Sequence, residues 1–87
     1  MLELFLEMLV AERGAAKNTI EAYTRDLSSV SDFLSHKKLG SLEASKTEHL
    51  RAYFSDQKKE GVSERTVARR LSSLRQFYRF LLDEGAR

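Results

Sequence analysis

At 87 residues the chain is too short for more than one hydrophobic core, yet long enough to sustain one without cross-links. The absence of cysteine excludes disulfides and thiolate metal sites, and 41% hydrophobic with 32% charged residues excludes a disordered chain. Net charge is only +2, but three glutamates against Arg13 leave residues 1–13 at −2, while five arginines against Glu64 leave residues 63–79 at +4.

Proline is absent, and Gly14, Gly40, Gly61 and Gly85 punctuate stretches with helical apolar spacing, so they read as helix stops. The first predicted helix, 2–13, aligns Leu2, Phe5, Leu6 and Leu9 on one stripe. Its start, M-L-E-L-F-L-E-M-L-V, is interrupted by Glu3 and Glu7 and has no basic flank. Neither a signal peptide nor a membrane span is expected there, and a cytoplasmic location follows by elimination. The second helix, 17–37, repeats Ile20, Tyr23, Leu27, Val30 and Leu34; it starts either with an Asn18–Glu21 capping box or one residue earlier, behind Ala16 as a poor cap. The third, 46–60, opens on a Ser45–Glu48 box and buries Leu50, Tyr53 and Phe54. The fourth, 64–84, follows Ser63 and carries Val67, Leu71, Leu74, Tyr78 and Leu81. No stretch alternates as a strand does, and the apolar positions do not continue across the glycines, which excludes a long coiled coil. The expectation is an all-α fold, a compact bundle or crossed helical hairpins, with residues 38–44 as the longest connection.

The fourth helix carries the clearest functional signal. Its run A-R-R-L-S-S-L-R-Q-F-Y-R-F-L, residues 68–81, loads a regular apolar helix with four arginines. On a helical wheel the apolar residues gather on one side, and Arg65, Arg69, Ser72, Gln76 and Arg79 gather opposite, with Ser73 and Arg75 at the margins. That face contains no acid, so it forgoes the i,i+4 pairs that a solubilising face ordinarily uses. It uses arginine rather than lysine, and the guanidinium fork fits phosphate and guanine edges. A solvated face and a face for a polyanion both remain open on these residues alone. Arg70 falls in the apolar stripe and reads as a snorkelling residue paired with an acid of the first helix.

Lys17, Asn18 and Thr19 open the second helix, where free N–H groups favour phosphate, with Arg25 further along on the solvent side; plain capping is the competing reading. His36 and His49 are isolated and read as solvent-exposed, so no metal site is expected. Tyr23, Tyr53 and Tyr78 read as core residues with polar tips. There is no glycine-rich phosphate loop and no nucleophile–base pair, so no cofactor, no small-molecule substrate and no enzyme activity are expected.

N-T-I-E-A-Y-T-R-D-L (18–27) followed by G-V-S-E-R-T-V-A-R-R-L-S-S-L-R-Q-F-Y-R-F-L (61–81) resembles the N-terminal core-binding domain of tyrosine recombinases, most nearly the Xer type that resolves bacterial chromosome dimers. The resemblance runs along essentially the whole chain. It implies a four-helix, SAM-like domain of two crossed hairpins occupying residues 1–87, half of a C-shaped clamp on double-stranded DNA. The second and fourth helices would lie against the major groove. Thr19 and Arg25 match positions that approach DNA on the second helix; Arg65, Arg69, Ser72, Ser73 and Gln76 lie on the matching face of the fourth, with Arg69 as the base reader. Lys17, Asn18 and Arg79 complete the expected contact set. The family's catalytic arginine–lysine–histidine–arginine–histidine set and its tyrosine nucleophile belong to a C-terminal domain absent from this chain, so the expected catalytic set here is empty. Partners implied are the recombination site and other recombinase protomers in a synaptic tetramer, met through the first and last helices. Ala16 stands where the family often has a serine cap.

Three alternatives remain. Phage and transposon integrases share looser versions of both motifs. SAM-like and death-like four-helix domains also serve as protein-interaction modules. A helix-turn-helix over residues 46–84 is compatible with the turn K-K-E-G-V-S, but its recognition helix would be long and the second helix would have no role.

Overall fold

Where a helix begins and ends depends on what satisfies its free backbone groups. In the computed structural model, which describes residues 2–85, four helices form: α1 (Leu2–Arg13), α2 (Lys17–His36), α3 (Thr47–Lys59) and α4 (Glu64–Asp83). No strand occurs among the described residues, so the expected all-α, four-helix order holds. Among them no helix is long and apolar enough to cross a membrane.

The starts differ in kind. Ser63 caps α4 by accepting the Thr66 N–H at 3.2 Å. The Asn18–Glu21 box does not form: α2 begins behind Ala16, which supplies no side-chain cap. At α3 the expected Ser45–Glu48 box is also replaced. Ser45 is buried and donates to the Ser41 carbonyl at 3.1 Å, so the helix starts later, and His49 Nδ1 accepts the Lys46 N–H at 3.2 Å. His49 is therefore a half-buried capping residue rather than a free surface histidine, whereas His36 is exposed.

Two helices end in the same Schellman pattern. After α2, Leu39 N–H reaches the Leu34 carbonyl at 2.8 Å and Lys38 N–H reaches Ser35 at 3.1 Å; after α3, Val62 reaches Gln57 and Gly61 reaches Lys58, each at 3.1 Å. The pivot residue must be left-handed, and Gly61 at φ +79° suits it; Lys38 takes φ +57° with a side chain attached.

Helix α2 is central and packs against the other three, while α1 also packs against α4. The core contains Phe5 and Leu9 of α1, Leu27, Val30 and Leu34 of α2, Tyr53 of α3, and Leu74, Phe77, Phe80 and Leu81 of α4. Phe5 is its aromatic hinge point: its ring centroid lies 5.6 Å from Tyr23 and 5.5 Å from both Phe77 and Phe80. Leu42 closes the core from the α2–α3 connection, and Tyr78 holds that connection by donating to the Leu42 carbonyl at 2.8 Å. Tyr53 likewise buries its ring and shares a hydrogen bond with Ser29 at 2.8 Å. The polar tips of both tyrosines are thus satisfied inside the protein.

Candidate nucleic-acid interface

Packing of α4 on α2 brings two predicted surfaces together. Asn18, Thr19, Ala22 and Tyr23 of α2 line one groove with Arg69, Ser72 and Ser73 of α4, and Asp26 lies at its base. The small side chains Ala22 and Ser72 keep the groove open. Lys17, Arg25 and Arg65 are exposed beside it: Arg25 lies two helical turns beyond Asn18, and Arg65 one turn before Arg69. Because Ala16 supplies no cap, the first N–H groups of α2 remain available at this end, with the positive end of the helix dipole behind them.

The far end of the α4 face behaves differently. Gln76 is half-buried and accepts from Arg13 at 3.1 Å, and Gln76 and Arg79 border a second groove with Glu12, Asp83 and Glu84. The α4 face is acid-free, but α1 and the end of α4 place carboxylates next to it. Positive charge therefore concentrates toward the α2 side.

Asp26 organises that side. It is buried, 1% exposed. Arg69 grips it bidentately, Nη2–H to Oδ1 at 2.7 Å and Nε–H to Oδ2 at 3.1 Å. Ser73 donates to Oδ2 at 2.9 Å, and Arg70 Nε lies 3.8 Å from Oδ1. Arg70 Nη1 continues the network to Gln57 Oε1 and, at 3.4 Å, to the Tyr53 hydroxyl. Arg70 thus pairs with an acid of α2 and not of α1, because the α4 stripe at this level faces the middle of α2. Two guanidinium groups share one carboxylate, so the cluster keeps a net positive charge. The hydrogen bond to Asp26 holds the Arg69 guanidinium above its ordinary pKa. Ser73, placed by the wheel at the margin of the outer face, is buried with its hydroxyl turned inward onto Asp26.

Asp26 was the residue missed. A signal existed: it stands on the apolar stripe of α2, three residues after Tyr23 and four before Val30, where a lone acid requires partners. A second feature had no sequence signal. Between α3 and α4 runs an apolar groove floored by Leu50, Phe54, Leu71, Leu74, Tyr78 and Leu82, with Arg51, Arg75 and Arg79 along it.

Residues 2–85 match the family model described as phage integrase, N-terminal SAM-like domain. Proteins named tyrosine recombinase XerD are similar along nearly the whole chain. That of Rhizobium meliloti (strain 1021) is 49% identical over 98% of this chain and 27% of its own length. That of Agrobacterium fabrum (strain C58) is 49% identical over 99% and 26%, and that of Caulobacter vibrioides 47% over 98% and 28%. The chain thus spans about a quarter of the length of these curated relatives. No solved structure matches it. Four helices in the expected order and a family match along almost every residue establish that the chain belongs to the phage integrase N-terminal SAM-like domain family, with Xer-type tyrosine recombinases among its relatives.

Proposed function

We propose that the chain is the core-binding domain of a Xer-type site-specific recombinase acting in chromosome dimer resolution, and that it grips the recombination site through α2 and α4. The observation that carries this reading is the shared groove: the uncapped start of α2 and the Arg69–Ser72 turn of α4 line one open, net-positive surface. Lys17, Arg25 and Arg65 supply phosphate contacts around it, Arg79 supplies one further along α4, and Asn18, Thr19 and Ser72 supply short hydrogen-bonding groups at the groove. Cleavage belongs to a catalytic domain outside this chain. Two of the tyrosines support that division, since Tyr53 and Tyr78 use their hydroxyls to hold the fold together. Other protomers of a synaptic tetramer, in the cytoplasm, are the protein partners of this reading.

Fluorescence anisotropy of the chain with a Xer-type site and a scrambled duplex, across a salt series, tests it. About four to six phosphate contacts give a log–log salt slope of roughly −4 to −5. Arg65→Ala and Arg79→Ala each weaken both duplexes alike and lower that slope by about 1. Binding that is absent, or indifferent to salt, refutes the reading.

The apolar α3–α4 groove favours a second reading, a protein-interaction module that takes an acidic partner. Competition separates the two: an acidic polypeptide displaces the occupant of such a module as well as duplex DNA does.

A further inference from the structure

We propose that Asp26 is a positioning residue for DNA recognition: it holds one edge of the Arg69 guanidinium and thereby presents the opposite edge, as a fixed fork of N–H donors, to a pair of acceptor atoms on DNA. The proposal rests on the DNA-binding reading above.

A guanidinium carries five N–H groups in a plane. Arg69 uses its Nε–H and one Nη2–H on Asp26. The edge formed by Nη1 and the other Nη2–H is of the same forked geometry and points away from the carboxylate. The anchor is inside and the fork is outside: Asp26 is 1% exposed, whereas the Arg69 side chain is 45% exposed. The anchor is itself held, by Ser73 and by the neighbouring Arg70. Arg69 lines the groove next to the small residues Ala22 and Ser72, which leaves room for an approaching edge. An ion pair serving stability alone has no need to sit at the mouth of an open groove.

Two consequences follow for recognition. A surface arginine loses side-chain freedom when it binds, but here that freedom is already lost on folding, so the donors meet DNA pre-ordered. Neutralisation by Asp26 does not cancel attraction, because Arg70 shares the same carboxylate. Acceptor pairs that fit such a fork are guanine O6 with N7 in the major groove, and two oxygens of one phosphate.

The test uses the 87-residue chain and a pool of random-sequence duplexes, with selection, sequencing and anisotropy at two salt concentrations. Variants are Arg69→Ala, Arg69→Lys, Asp26→Asn and the Asp26→Asn/Arg69→Ala double, each checked for helicity by circular dichroism. If the fork reads guanine, Arg69→Ala and Asp26→Asn flatten the preference at the same base pair, about tenfold each, and the double variant is no worse than Arg69→Ala. Arg69→Lys keeps the charge, lacks the fork, and falls with Arg69→Ala. If the fork grips a phosphate, the same non-additive loss appears uniformly across the pool. Multiplying losses in the double variant, or a fully active Arg69→Lys, overturn the proposal. A measurement on the unaltered chain covers the case in which Asp26→Asn fails to fold. In nitrogen-resolved NMR spectra, Arg69 Nε–H is expected as a slowly exchanging signal before and after DNA is added, with the Nη signals shifting on binding. Nη signals that do not move on a duplex that binds overturn the positioning role alone. No binding to any duplex at low salt overturns the DNA reading, and this proposal with it.

Discussion

Replacing Phe5 with alanine is the most informative single perturbation of the fold. Phe5 and Leu9 are the two fully buried side chains of α1, and a helix of 12 residues does not persist alone in water. Phe5 is 0% exposed and packs against three rings, two of them edge-to-face at 5.6 and 5.5 Å. Truncating a buried phenylalanine costs about 3–5 kcal/mol, and each lost ring pair accounts for about 0.5–1.5 kcal/mol within that total. With three pairs the expected loss is about 4 kcal/mol, against a total stability of about 4–13 kcal/mol for a chain of this size. Phe5→Leu keeps most of the volume and should cost about 1.5 kcal/mol. Urea unfolding followed by circular dichroism measures both. A loss below about 1.5 kcal/mol for Phe5→Ala, at an unchanged urea slope, would show that α1 adds little to the cooperative unit and would refute the central place given to this residue.

The turns and caps give further expectations. Lys38→Gly should stabilise the chain by about 1 kcal/mol, raising the melting temperature by about 4–8 °C, because it removes a left-handed side-chain residue at φ +57°. Gly61→Ala should act in the opposite sense by a similar amount, since an added Cβ meets nothing within 4 Å and only backbone strain remains. Ser63→Ala removes the α4 cap and should cost about 1 kcal/mol in a thermal melt while leaving the salt slope of DNA binding unchanged.

Long-period information was legible in the sequence and short-range competition was not. The stripe Ile20–Tyr23–Leu27–Val30–Leu34 and the glycine stops located α2 and the order of all four helices, because burial along a 3.6-residue period depends on little else. The sequence left two starts open for α2, and the one behind Ala16 holds, while the Ser45–Glu48 box expected for α3 is lost because Ser45 is drawn into the core by Ser41 instead. The wheel located the arginine face of α4 correctly but treated that helix as isolated. It therefore left Ser73 and Arg69 outside the buried network, which exists only because Asp26 of α2 lies opposite. The apolar α3–α4 groove was invisible for a related reason: Leu71 read as a stripe residue, and only the way α3 and α4 pack leaves it exposed, beside Leu82.

The central position of α2 has a consequence for how motion is distributed. The helix that lines the candidate groove is also the one against which α1, α3 and α4 all pack. It has no way to open by itself. Its mid-helix amides, around Asp26 to Val30, should exchange with solvent only when the whole chain unfolds, whereas amides at the helix ends and in the exposed turns exchange by local fraying. Any ligand that tightens its hold on α2 then raises the melting temperature of the entire chain, so thermal stability becomes a direct readout of occupancy at the groove.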